Sequence, residues 1–274
     1  MSSLEIQDWR SFLLPYSQAV EEMTVKFDNI IMEYRQLGLY SPVEQVTGRV
    51  KAISSILEKM AKNDIAFDEL ENRMSDIAGV RIICQFVEDI DTVVDLIRNR
   101  KDMTVLEETN YIAHSKESGY RSYHMIVLYP VYTVLGQKEV RAEIQIRTLG
   151  MNFWSTIEHS LSYKYRGILP SDVTNRLKSA AEAAYAMDQE MSVIRSEIVD
   201  AQGKFQTKAK LVDDVMNNIQ NIYENSERIA MKEAQETLLR MVKNDEIDSI
   251  RHFGSELDAV AEHHQVQELK GDLT

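Results

Sequence analysis

Arg141-Ala-Glu-Ile-Gln-Ile-Arg-Thr148 alternates strictly, placing Glu143, Gln145 and Arg147 on one face of an extended strand and Ala142, Ile144 and Ile146 on the other. One face suits an apolar core, and the other needs polar company. Working outward, Val-, Ile- and Tyr-rich runs predict strands at about 79–86, 103–108, 122–131 and 139–147, with a helix at about 88–100 between the first two. An opening amphipathic helix is predicted over about 6–37, closing at Gly38, and a second over about 48–62 after the Ser41-Pro42 turn. The expected fold is α+β: a mixed β-sheet of about five strands flanked by helices, with a long helical C-terminal region.

That C-terminal region opens at Pro170-Ser171-Asp172 and reads as helical to about 243, with Gly203 as its main interruption. Its Ala-rich part, Ala180 to Ala186, permits close helix packing. Leu211, Val215, Ile219, Ile222 and Ile229 form a stripe that could pack on the core or on another subunit. Residues from His263 to Thr274 are polar and expected to fray.

A chain of 274 residues, 44% hydrophobic and 27% charged, is long enough to bury one good core and carry a helical appendage. Its net charge of −13 argues against general nucleic-acid binding through bulk electrostatics, although a small anion can bind wherever Lys and Arg cluster. The single cysteine, Cys84, allows no internal disulfide. No stretch is long and apolar enough to span a bilayer, so a cytoplasmic protein that avoids the membrane is expected.

Two carboxylates stand near strands, Asp76 in Ser-Asp-Ile-Ala-Gly-Val-Arg and Glu143 in the opening stretch. A sheet could bring both within reach of one divalent cation, the remaining ligands coming from phosphate and water. Equally, Asp76 could cap a helix and Glu143 could pair with a cation across the sheet. Lys51, Ser55, Lys59 and Lys62 fall at steps of four, four and three along the second predicted helix, a row of donors suited to a triphosphate or merely a solvated face. Arg49 and Arg81 add planar guanidiniums able to stack on a base or bind phosphate. In Lys116-Glu-Ser-Gly-Tyr-Arg-Ser-Tyr-His124, Gly119 permits a tight turn, and Tyr120 with His124 and Lys116 forms either a base-stacking platform or ordinary core. The chain has no Gly-x-x-x-x-Gly-Lys-Ser/Thr loop, no Gly-x-Gly-x-x-Gly and no Cys-rich zinc pattern, and none of its six histidines precedes Asp.

Thr47-Gly-Arg-Val-Lys51, Asp76-Ile-Ala-Gly-Val-Arg81, Lys116 to His124, Glu143-Ile-Gln-Ile-Arg-Thr148, Met151-Asn-Phe-Trp154 and Ile157-Glu-His159, in that order, closely resemble the small alarmone synthetases. These are single-domain members of the RelA/SpoT superfamily with a nucleotidyltransferase-like fold, and the nearest match is the RelQ type. The resemblance covers roughly residues 7–205, which implies a synthetase domain over 1–205 and a helical extension over 206–274. It implies Mg²⁺-dependent transfer of pyrophosphate from ATP to the ribose 3′-hydroxyl of GDP or GTP, giving AMP and (p)ppGpp, without hydrolase activity, by a homotetramer. Arg49 and Arg81 would then sandwich adenine, and Lys51, Ser55, Lys59 and Lys62 would follow the ATP phosphates. Asp76 and Glu143 would hold Mg²⁺, with Glu143 also activating the 3′-hydroxyl. Tyr120 would stack on guanine, with Lys116, His124, Gln145 and Asn152 on the acceptor side. Arg147 receives no role.

The chain departs from the RelQ pattern at one place. Where those proteins carry basic residues along the first helix and an aromatic before the Thr-Gly-Arg segment, forming an activating alarmone site between subunits, this chain has Thr24, Asp28, Ile31 and Gln45. Weak or absent activation by pppGpp is expected. Two rivals remain: a polymerase-β-like nucleotidyltransferase, whose usual pair of acids two apart is missing at Asp76-Ile77-Ala78, and a non-catalytic nucleotide- or RNA-binding scaffold on the same fold.

Overall fold

The computed structural model describes residues 8–134, 136–164, 170–223, 228–244 and 246–271. It divides into two compact units, Met1–Val193 and Ile194–Thr274.

The first unit opens with helix α1 (Trp9–Gln36), whose entry is fixed by Asp8: its carboxylate accepts the backbone N–H groups of Arg10 and Ser11. Tyr16, Ala19, Val20, Met23, Phe27 and Ile30 recur at helical spacing and are all buried. Five strands follow: β1 (Gln45–Val50), β2 (Ala78–Cys84), β3 (Thr104–Asn110), β4 (Tyr123–Thr133) and β5 (Gly136–Thr148). They form one sheet in the order β1-β2-β5-β4-β3, with β2 and β5 parallel and every other pair antiparallel. Helix α2 (Ile53–Asn63) and the single turn α3 (Leu70–Arg73) lie between β1 and β2, and α4 (Val87–Arg98) between β2 and β3. Helix α5 (Leu149–Lys164) leaves β5 directly.

Alternation sorts the sheet as expected. Ala142, Ile144 and Ile146 are fully buried, as are Ala78, Ile82, Met125 and Val127, and all join α1 and α4 in one apolar cluster. Each Ile or Met removed from water here stabilises the fold by roughly 1.5–3 kcal/mol. Helix α1 approaches β1 so closely that a Cβ on Gly48 would sit 2.5 Å from Thr24 Oγ1 and 2.6 Å from Val20 Cγ1. That side of the sheet is thereby sealed, and the other is free for chemistry.

The second predicted helix is corrected. Residues 45–50 are strand, and the helix begins only at Ile53. The open edge of β2 dictates this, because Gln45 through Val50 pair in register with Ile83 through Ala78. Lys51 therefore stands between β1 and α2, its N–H donating to Ile77 O, and is not on the helical row.

Helix α6 (Ser171–Tyr223) starts where the Pro170 signal placed it. Gly203 does not interrupt it. A lone glycine costs a helix about 1 kcal/mol relative to alanine, and the flanking helical sequence absorbs that. The Ala-rich stretch earns its small residues: a Cβ on Gly119, which sits at φ +87, would lie 2.6 Å from Ala181 Cβ. Further ties to α6 are the Trp154 Nε1–H donating to Leu177 O at 2.8 Å and Thr148 Oγ1 donating to Asp188 Oδ2 at 2.5 Å.

The second unit contains the remainder of α6 with α7 (Arg228–Lys243) and α8 (Ile247–Gly271). The predicted stripe finds its partner inside this unit. Val215 and Ile219 are buried with Leu238, Ile250 and Leu257, and Leu211 and Ile222 pack on that cluster. The tail expected to fray is instead helical through Gly271 as part of α8, while residues 272–274 and the side chain of Ile229 lie outside the described residues. Among the described residues no helix is long and apolar enough to cross a membrane.

Candidate active site

Register builds the polar face. Gly79 pairs with Glu143 and Arg81 with Gln145 across β2 and β5, Arg49 pairs with Gly79 across β1, and His124 pairs with Gln145 across β4. Paired residues point to the same side, so Arg49, Arg81, Glu143, Gln145 and His124 share the face opposite the core. A cavity of about 250 Å³ opens there, lined by Arg49, Lys51, Asp76, Gly79, Arg81, Glu143 and Gln145. Gly79 beside Glu143 leaves free the space a side chain would fill.

Asp76 comes from the turn before β2 and is gripped by two ammonium groups: Lys51 Nζ donates to Oδ2 at 2.8 Å and Lys59 Nζ to Oδ1 at 2.9 Å. Burial works against its charge, but the two lysines outweigh burial and hold its carboxyl below the usual carboxylate value. Burial likewise opposes ionisation of Glu143, and here hydrogen bonds from His124 Nδ1 at 3.0 Å and Gln145 Nε2 at 2.7 Å outweigh it. The nearby Asp76 pulls the other way, yet Glu143 is also held below its ordinary value. Both carboxylates are thus charged at neutral pH, an all-oxygen donor pair of the kind that suits Mg²⁺.

Cations surround the pair in a chain that is acidic overall. Burial lowers the ordinarily high pKa of Arg81, and Arg147 and Arg49 lower it further by repulsion. Arg81 Nε is buried and has no hydrogen-bond partner among the described residues. An anion brought against it would relieve both penalties, and its flat guanidinium also offers a face on which a ring can stack.

A second cluster adjoins through His124. Tyr120 OH lies 2.7 Å from His124 Nε2, and Lys116 Nζ stands 4.9 Å above the Tyr120 ring. Tyr111, which sequence reasoning passed over, completes it. Its ring lies edge-on to Tyr120 at 6.1 Å and to His124 at 5.1 Å, and Lys116 Nζ covers it at 4.5 Å. Only the pairing of β3 with β4 delivers Tyr111 there, so no local motif could have marked it.

The structure therefore gathers Arg49, Lys51, Asp76, Arg81, Glu143 and Gln145 around one cavity, with Lys59 reaching it through Asp76 and Lys116, Tyr120 and His124 alongside. Ser55 is half-buried on α2, Lys62 is exposed in that helix's last turn, and neither lines the cavity. Asn152 sits in the first turn of α5, also outside the lining, with Oδ1 buried and unpaired among the described residues.

Comparison with known proteins adds a second line of observation. Residues 48–168 match the region found in RelA / SpoT proteins. The chain is 54% identical over 207 residues to GTP pyrophosphokinase YjbM of Bacillus subtilis, a match spanning 76% of this chain and 98% of that one. It is 38% identical over 195 residues to GTP pyrophosphokinase YwaC of the same organism, spanning 70% and 93%. The crystal structure of the small alarmone synthetase 1 from Bacillus subtilis bound to its product pppGpp superposes with a TM-score of 0.68 at 56% identity, covering 69% of this chain and 97% of that one.

Proposed function

The chain belongs to the RelA/SpoT family of GTP pyrophosphokinases and makes (p)ppGpp, and on that premise we propose which of its side chains carry the transfer. The reaction moves the pyrophosphate of ATP to the 3′-hydroxyl of GDP or GTP. A bond forms between the 3′-oxygen and the β-phosphorus, the bond from that phosphorus to the α,β-bridging oxygen breaks, and AMP leaves with that oxygen. Glu143 takes the hydroxyl proton as the new bond forms. The observation that carries this reading is that Asp76 and Glu143, both held ionised, line one cavity.

Mg²⁺ fits this oxygen pair, and when bound it supplies neutralisation of the triphosphate charge. Arg49 and Arg81, on adjacent strands of the same face, flank the adenine ring. Lys51 and Lys59 move from Asp76 toward the phosphates, with Ser55 and Lys62 extending the donor row along α2. Tyr120 stacks on guanine, and Lys116, His124, Gln145 and Asn152 lie on the acceptor side. Incubation with ATP and either GDP or GTP in Mg²⁺ should give AMP and a new tetra- or pentaphosphate on nucleotide separation, and chelation by EDTA should stop it. Release of pyrophosphate would instead identify transfer of AMP, and an unchanged rate in EDTA would remove the metal from the mechanism.

The protein works as a cytoplasmic homotetramer of the RelQ type with a degraded activation site. Thr24 donates its hydroxyl to Val20 O at 2.7 Å and is spent within α1, while Asp28 is an exposed carboxylate on the same helix. Ile31 adds no charge, and Gln45, at the start of β1, no ring. A phosphate-rich ligand meets repulsion where it needs cations. Adding pppGpp at micromolar concentration should leave the initial rate within about twofold of basal; a severalfold rise would show a working site.

A further inference from the structure

Arg147 is 4% exposed, beneath the candidate active site, and its guanidinium offers only donors. One terminal nitrogen, Nη2, starts two hydrogen-bonded chains that end on the same carboxylate. In the first, Nη2 donates to Tyr120 OH at 2.7 Å, that hydroxyl lies 2.7 Å from His124 Nε2, and His124 Nδ1 lies 3.0 Å from Glu143 Oε1. In the second, Nη2 donates to Gln145 Oε1 at 2.5 Å, and Gln145 Nε2 donates to Glu143 Oε2 at 2.7 Å.

The first bond biases the direction of the others. A hydroxyl that accepts from Arg147 has its own hydrogen left for a neighbour, and at 2.7 Å His124 Nε2 can take it as a bare nitrogen. A neutral imidazole with Nε2 bare carries its hydrogen on Nδ1, where it points at Glu143. The Gln145 amide is fixed in the same way, because its oxygen is taken by Arg147 and its nitrogen faces the carboxylate. Each Glu143 oxygen thereby receives one N–H and keeps a lone pair toward the cavity.

We propose that Arg147 is the positioning residue of this reaction: by giving only hydrogen bonds, it selects the Nδ1–H tautomer of His124 and the amide orientation of Gln145, and so aims Glu143 at the acceptor hydroxyl. The idea rests on Glu143 acting as the base, but its first readout does not need turnover. Long-range ¹H–¹⁵N spectra of the unliganded protein, with the His124 signals identified by their loss in His124→Asn, should show a protonated Nδ1 and a bare Nε2. An Nε2–H tautomer or a doubly protonated ring in the wild type overturns the proposal outright, whatever Glu143 does.

Arg147→Gln and Arg147→Lys then separate direction from bulk. Glutamine can accept as well as donate, so the tautomer pattern should mix and kcat should fall about 10- to 100-fold, the usual effect of removing an orienting partner, while the KM for ATP stays unchanged. Lysine donates only, and should restore the Nδ1–H pattern and most of kcat. Equal loss in both variants, or an Arg147→Gln protein with wild-type tautomer and kcat, would reduce Arg147 to packing. The wild-type spectrum decides even if a variant fails to fold.

Discussion

Glu143→Gln should lower the rate of (p)ppGpp synthesis by at least about 10³-fold while leaving the protein folded. The amide keeps the size of the carboxylate but cannot accept the 3′-hydroxyl proton, and removing a general base alone typically costs 10²- to 10⁴-fold. It also withdraws a negative charge from the cavity shared with Asp76. The structural effect is small by comparison. One amide hydrogen must face a donor in place of a lone pair, at either His124 or Gln145, a loss of roughly 1 kcal/mol. Single-turnover assays alongside circular dichroism melting separate the two effects. A melting point within a few degrees of wild type with synthesis near wild type would remove Glu143 from the chemistry.

Asp76→Asn should be nearly as damaging, by a different route. Lys51 and Lys59 both spend their charge on Asp76 at 2.8 and 2.9 Å, so the substitution leaves two neighbouring ammonium groups without their shared counter-ion. It also takes away one of the two carboxylate charges proposed to hold Mg²⁺. Synthesis should fall by about 10²- to 10³-fold, the scale of losing a ligand or an electrostatic group at a phosphoryl-transfer centre. The decisive reading is binding: in the wild type, Mg²⁺ should increase the thermal stabilisation given by α,β-methylene-ATP, and in Asp76→Asn that increment should vanish. An increment equal to wild type would place the metal elsewhere.

The site was legible where one strand or one loop carries its own pattern. Alternation in residues 141–148 separated Glu143 and Gln145 from the buried Ile144 and Ile146, and Gly119 announced a turn that the close approach of Ala181 makes obligatory. What stayed hidden depends on pairing between distant segments. Thr47-Gly-Arg-Val50 has too few apolar residues to read as a strand beside so regular a helix, and becomes one only because β2 presents an open edge. For the same reason Lys51 looked like a member of a helical row, when the end of β1 aims it at Asp76. Arg147 lay on the right face from the outset, but its task depends on Tyr120 arriving from another loop. Gly203 misled in the opposite sense, since a local penalty says little about a helix as long as α6.

The parallel pairing of β2 with β5 also orders events in time. α4, β3 and β4 are made between these two strands, so the central contact of the sheet is non-local, the kind that closes late in folding. Asp76 leaves the ribosome well before Glu143, and the two carboxylates have no common cavity until β5 slots between β2 and β4. A nascent or truncated chain ending before Glu143 therefore cannot form the cavity these carboxylates share. Translation interrupted before β5 thus yields fragments without the proposed active site, and synthesis waits on completion of the sheet.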